Sequence, residues 1–431
     1  MRFYIFAFTG LLISSICLAQ PKEDKKTLFE EGVFFFNRGD FSEAAYYFKA
    51  LRETDPDNSN FNFKLGECYM QMPGSEVLAV PCFEMAVKRT VEKKKYDIRD
   101  INEKSAPLHA WFYLGNVYRI AGKLDDALKA YDVFVRSPYY YGNYNLNVVE
   151  NEIKSCERAK IIMDSPIDAD IQPVDSLINT TASEIYPVIS QDESTLFFVR
   201  KLKFYDAVLS AHKEGGNWST FTNLNPQIGS DGNFYPVSVS PDGKSLYLVK
   251  TDGGNKDLYV SYKKGDKWSQ AESLGKNINS LSDETWAVVS DDNSTLWFTS
   301  ARVGGMGGLD IYYSLKDKEG KWGKPRNAGK VINTQYDEES PCLCNNGKIL
   351  YFSSRGHYSM GGYDIFYSIK SGKSWQEPVN IGFPINNTSD NIGFVPVKDC
   401  KSGYYSKINM EEGPSSEDIY KVELKSNYPI P

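Results

Sequence analysis

Three histidines, His109, His212 and His357, are the only imidazoles in the 431 residues, and they lie far apart in sequence. No H-E-x-x-H metal motif and no G-x-S-x-G nucleophile elbow accompanies them. Carboxylates are the stronger candidates. Glu184, Glu284 and Glu338 stand at corresponding positions of three repeated segments, where acids at the mouth of a central tunnel could bind a cation or sugar or act on a glycosidic bond. The same recurrence is what a structural role produces, and an acid and a base need different environments rather than equivalent ones. Arg200, Arg302 and Arg355 follow in three segments, either as a triad for a carboxylate or as partners in local ion pairs. Residues 298–314, "FTSARVGGMGGLDIYYS", pose a phosphate-loop question. Such a loop needs a helix after its glycines and usually a lysine within the motif. Here a β-like run follows, and residues 352–368, "FSSRGHYSMGGYDIFYS", repeat the pattern without a gap. The glycines therefore read as a long turn within a repeat.

The elements that would position these groups fall into two halves. From residue 27 the apolar spacing is helical. Gly32, Ala44 and Phe48 recur as Gly66, Ala79 and Phe83, and again as Gly115, Ala127 and Tyr131. Each set is a small residue for close helix approach, a small residue at the crossing, and an aromatic that fills the gap. Gly39 and Gly122 end the first helix of their pairs. Residues 88–106 are an insertion or a lengthened helix pair, and residues 145–163 a capping helix.

This spacing resembles the tetratricopeptide repeat, a 34-residue pair of antiparallel helices, and three copies reach the number a stable stack needs. The resemblance implies a concave groove lined by Phe29, Val33, Phe36 and Asn37, then Phe63, Glu67 and Met70, then Phe112, Asn116 and Arg119. The Lys/Asn set that some relatives use to grip a C-terminal carboxylate is missing, so an apolar or helical segment is the expected guest. The alternative is that these phenylalanines pack on the insertion or on the second domain.

After residue 164 the pattern changes to short alternating runs. "YPVISQDESTLFFVR", "YPVSVSPDGKSLYLVK", "WAVVSDDNSTLWFTS" and "SPCLCNNGKILYFSS" each pair two strands about a polar turn. A third strand follows ("DAVLS", "DLYVS", "DIYYS", "DIFYS", "DIYKV"), then a fourth with Trp218, Trp268, Trp322 or Trp375. Four strands recurring about every 50 residues describe a propeller blade. The fifth unit lacks its tryptophan strand, and residues 171–180, "IQPVDSLINT", match the fourth-strand link at 375–387. The first strand of this domain should therefore complete the last blade and close a five-bladed ring, with six blades as the alternative count.

The fold class is accordingly multidomain α + β: signal peptide 1–19, linker 20–26, tetratricopeptide solenoid 27–164, and an all-β propeller 165–431. The "S-x-D-G-K-x-L-Y" run at 240–247 and the "GG-x-D-I-Y" elements at 307–312 and 361–366 are similar to the WD40-like (PD40) repeats of TolB-type periplasmic proteins. The order of segments resembles envelope proteins associated with type IX secretion and gliding. Those relatives usually continue into a peptidoglycan-binding OmpA-like domain, whereas this chain stops at Pro431.

Composition agrees with an exported protein. Arg2, the apolar stretch to Ala19 and the polar "QPKEDKK" after it read as a signal cut after Ala19, with lipid attachment at Cys17 as the alternative. No later segment is long enough to span a bilayer. The net charge of −7 argues against nucleic acid as a partner. Cys68, Cys82, Cys156, Cys342, Cys344 and Cys400 lack metal spacing and read as buried thiols. Cys342 and Cys344 share a strand face and should not bond to each other. The expected function is a non-enzymatic exported scaffold for envelope or outer-membrane proteins, in the periplasm and peripherally attached, with a secretion complex as one candidate partner and no cofactor or metal. The alternative is a glycan-binding or glycan-cleaving propeller.

Overall fold

The computed structural model describes residues 24–219, 221–251, 253–397, 400–408 and 416–425. The expected signal segment, with Cys17 and Ala19, lies outside the described residues.

Seven helices come first: α1 (Lys25–Asn37), α2 (Phe41–Thr54), α3 (Ser59–Met70), α4 (Val80–Ala86), α5 (Ala110–Ile120), α6 (Leu124–Val135) and α7 (Leu146–Met163). The starts of α1, α2, α3 and α7 are set by side chains that satisfy free amides. Asp24 accepts from the amides of Lys26 and Thr27, Asp40 from Glu43, Asn58 from Asn60 and Phe61, and Asn145 from Asn147. Each repeat closes by the same contact. A Cβ on Gly32 would lie 3.0 Å from the Phe48 ring, on Gly66 2.8 Å from Phe83, and on Gly115 2.3 Å from Tyr131. The glycine lets the second helix press its aromatic against the first helix's backbone, and Phe48, Phe83 and Tyr131 are fully buried there.

The insertion is not a lengthened helix pair. Thr90–Val91 pairs in parallel with Ala106–Pro107, tying its two ends together. The loop between them lies on the repeats. The Tyr96 hydroxyl donates to Asn60 Oδ1 at 2.6 Å, the Tyr96 ring meets Phe63 at 6.1 Å, and the Ser59 amide donates to the Lys104 carbonyl at 3.2 Å.

The second half forms five antiparallel sheets, four of them running from an inner strand outward in chain order. The inner strands are Glu184–Ile189, Phe234–Val239, Glu284–Val289, Glu338–Cys344 and Val395–Pro396. The fifth sheet takes its outer strand from the domain's start. Ala169–Pro173 pairs antiparallel with Glu417–Leu424, so residues from the two ends of the domain close the ring and no blade is left with an open edge there. Five blades are therefore present.

One asparagine per blade fixes the outer link to the third strand. Asn179, Asn225, Asn279, Asn333 and Asn386 accept from the amides of Ile419, Val208, Leu258, Ile311 and Ile365 through Oδ1, at 2.8–2.9 Å. Their Nδ2 groups donate back to third-strand carbonyls at 2.8–3.0 Å. The tryptophans differ from the sequence expectation. Trp218, Trp268 and Trp375 sit in two-residue returns at the end of the third strand, and Trp322 in a single bridge to Lys316. The outer strands follow them, at Thr222–Asn223, Glu272–Ser273, Arg326–Asn327 and Val379–Asn380.

Two cysteines are also placed differently from a set of buried thiols. Cys344, on the inner strand of the fourth blade, is disulfide-bonded to Cys400 of the fifth, with their Cα atoms 5.9 Å apart. Cys68, Cys82, Cys156 and Cys342 are buried free thiols. The pairing joins neighbouring blades across 56 positions, a distance along the chain over which local spacing carries no signal.

Candidate functional site

The three glutamates are not at an open tunnel mouth. Each begins an inner strand, is wholly shielded from solvent, and ties the preceding link to the second strand. Glu184 accepts from the amide and hydroxyl of Thr180 and from Arg200 Nε at 2.5 Å. Glu284 accepts from Ser280 in the same way, from Ser300 Oγ at 2.6 Å, and pairs with Arg302 at 3.2 Å. Glu338 accepts from Thr334 and from Ser354 Oγ at 2.7 Å. Burial raises the acid of Glu184 and pushes Glu338 up to about 7, against the pull of these donors. The arginines are spent locally as well. Arg200 also donates to the Ile178 carbonyl at 2.8 Å, and Arg355 pairs with Asp390 at 3.3 Å.

The repeated glycine loops serve close packing. A Cβ on Gly307 would stand 1.7 Å from the Tyr336 carbonyl oxygen, and one on Gly362 1.7 Å from Asp390 Oδ1. Only glycine lets the turn between second and third strands press on the link to the next blade. Asp310 and Asp364 organise these turns, accepting from the amides of Met306 and Met360 at 2.5 and 2.6 Å. Burial pushes the Asp364 acid up to about 7.

In the fourth blade this turn meets the helical domain. Met360 has no exposed surface and packs among Leu124, Ala127 and Tyr131 of the third repeat and Cys156 and Ala159 of α7. Arg158 donates to the carbonyls of His357 and Ser359 at 3.3 and 3.4 Å, and its guanidinium lies over the Tyr358 ring. Arg119 is buried, pairs with Glu152 at 3.0 Å, and donates to the Thr388 carbonyl. Thr388 Oγ1 in turn donates to the Ile120 carbonyl at 3.3 Å. An apolar knob, two arginines and several carbonyls thus join the domains.

The groove residues divide. Phe29 is buried against Phe48 and Phe61, and Phe63 against Phe83, Tyr96, His109 and Tyr113. Asn116 is engaged by the Tyr131 hydroxyl at 2.7 Å, and Arg119 by the seam. Phe36, Met70 and Phe112 are half-buried. The insertion covers the Phe63 end of the groove.

On the ring axis, inner strands of three blades bring rings together. Tyr186 lies 5.5 Å from Tyr235 and 6.4 Å from Trp286, centroid to centroid. Tyr186, on the inner strand of the first blade, thus meets rings from the inner strands of the second and third. Glu339 lies nearby, with its acid raised by desolvation. Neither Glu339 nor Met360 stands out in the sequence: Glu339 follows a more regular repeat position, and Met360 has an equally placed twin at Met306.

Comparison with known proteins agrees with this architecture. The tetratricopeptide repeat family model matches residues 29–74 and 96–140. No curated protein sequence matches. Among solved structures, the chain is similar to TolB from Acinetobacter baumannii at 16% identity and a TM-score of 0.38, covering 57% of this chain and 56% of that one. It thus spans little more than half of that protein. It is also similar to a putative TolB from Agrobacterium tumefaciens, at 14% identity and a TM-score of 0.38, over 62% of this chain and 99% of that one. A thermostable family-43 glycoside hydrolase matches at 13% identity and a TM-score of 0.40, over 57% and 90%. Among the described residues no helix is long and apolar enough to cross a membrane.

Proposed function

For a chain that joins tetratricopeptide repeats to a five-bladed, TolB-like propeller, we propose the work of a non-enzymatic scaffold, holding two or more proteins in fixed geometry in the bacterial envelope. The observation that carries this reading is the seam. Met360, Arg119 and Arg158 lock the helical domain onto the fourth blade, so surfaces on the two domains are presented at a set angle. Repeat stacks and propellers supply large faces without a catalytic centre. The Cys344–Cys400 disulfide supports export, since such bonds persist in oxidising compartments. By resemblance, a secretion or gliding complex is the proposed setting. The test is recovery of partners from envelope fractions on the intact chain; recovery of no protein partner would sink the proposal.

A second reading rests on the channel. Tyr186 and Tyr235, backed by the buried Trp286, offer aromatic surface beside the Glu339 carboxylate, a combination suited to a sugar. Binding on a glycan array that disappears in Glu339→Gln would support it, and absence of binding and hydrolysis would end it.

A further inference from the structure

The third and fourth blades carry the same loop, and only one copy is covered. Residues 303–309 and 357–363 occupy matching positions. Both are held by the same clamps. Asp310 accepts from the Met306 amide at 2.5 Å and from Asn327 Nδ2 at 3.1 Å; Asp364 accepts from the Met360 amide at 2.6 Å and from Asn380 Nδ2 at 2.8 Å. Asp337 accepts from the Leu309 amide at 2.8 Å, and Asp390 from Tyr363 at 2.8 Å. Each loop therefore holds a methionine out on a braced turn.

What differs is the covering. Met360 is fully buried against α6 and α7, while Met306 is 46% exposed and Val303 beside it is 100% exposed. Arg158 and Arg119 take the carbonyls of His357, Ser359 and Thr388. The matching carbonyls of Val303, Gly305 and Gln335 take no hydrogen bond from any described residue.

We infer that the third-blade loop is a second docking knob, and that its occupant is a helix of a partner protein. The inference rests on the scaffold reading and names one of its surfaces. The chain's own seam supplies the chemistry of the occupant. Ala127 and Ala159, on facing helices, leave a slot that an unbranched thioether side chain fills. An arginine on the same helices, Arg158, spans two carbonyls from one guanidinium nitrogen. The occupant of the third blade would offer the same pair of features, small residues for Met306 and an arginine for Val303 and Gly305. A second copy of this chain is a poorer fit, because its own α6–α7 slot is filled by Met360. The braced loop loses little freedom on docking, which favours binding.

The test places a photo-crosslinking residue at Val303 of the full chain in the cells that make it, with Lys318, on the opposite face of the same blade, as the control. The expected result is an adduct at 303 and not at 318, whose cross-linked peptide comes from a helical segment of another protein. Met306→Glu should lower its yield by more than about tenfold, because a charge would enter an apolar slot, and Met306→Leu should keep it. An adduct no stronger than at 318, an adduct to a second copy of this chain, a cross-linked strand or lipid, or indifference to Met306→Glu would each overturn the inference. If the intact chain recovers partners while Val303 stays silent, the scaffold reading stands and this surface is wrong.

Discussion

The Arg119 guanidinium donates to the carbonyl oxygen of Thr388, 269 positions along the chain, while its Nε pairs with Glu152 at 3.0 Å. One side chain thus finishes the third helical repeat and fastens it to the ring. Arg119→Ala leaves Glu152 and a carbonyl without their donor, a loss of about 3 kcal/mol for a buried pair. The helical domain and the ring should then melt apart. A single calorimetric transition is expected for the native chain and two for the variant.

Gly115 is held against Tyr131, where a Cβ would lie 2.3 Å from the ring. Gly115→Ala should cost roughly 1–3 kcal/mol by overpacking, read as a lower denaturant midpoint with an unchanged m-value. Gly122, at φ +72° with open space around it, should accept asparagine at little cost.

Asn333, on the outer link of the third blade, satisfies both the amide and the carbonyl of Ile311. Asn333→Ala orphans two buried backbone groups and should destabilise the third blade by about 2 kcal/mol. Asn333→Asp returns only the acceptor. Hydrogen exchange should show faster opening at Ile311 in both variants, and more in alanine.

Glu338 and Asp364 set a pH slope. Their acids titrate near 4.5 and 3.8 when unperturbed, and near 7 in the folded ring, where desolvation favours the neutral form. Between those values the unfolded chain gives up protons that the folded chain keeps. Their contribution is therefore fullest below pH 4 and falls as pH rises toward 7. Glu338→Gln keeps an acceptor for Thr334 and removes one ionisation. The drop in Tm from pH 4.5 to 7 should be smaller in this variant than in the native chain.

Reduction of Cys344–Cys400 frees a 56-residue separation between the fourth and fifth blades. The expected loss is about 2–4 kcal/mol. Cys400→Ser should match the reduced native protein in thermal melts and be indifferent to reductant.

Much of this architecture was legible because repeats write the same local constraint several times. Gly32, Gly66 and Gly115 each precede the aromatic they accommodate by 16 or 17 positions, and the clasp at residues 171–180 shows as a copy of a link found elsewhere. Contacts made once leave no such trace. Met306 and Met360 have matching loops and opposite fates, because burial is decided by helices more than 200 positions upstream. The glutamates show the reverse error. Their recurrence was visible, but whether a carboxylate at a strand start faces water or a serine and an arginine depends on how the link folds back over it.

Strand Ala169–Pro173 follows α7 directly and is also the outer strand of the last blade. A pull on the helical domain, once the seam yields, would run along this strand and across all its hydrogen bonds to Glu417–Leu424 together. That is loading in shear, in which the bonds share the force, rather than peeling one by one. The ring hangs from its own clasp, so tension between partners on the two domains would bear on the joint that keeps it closed.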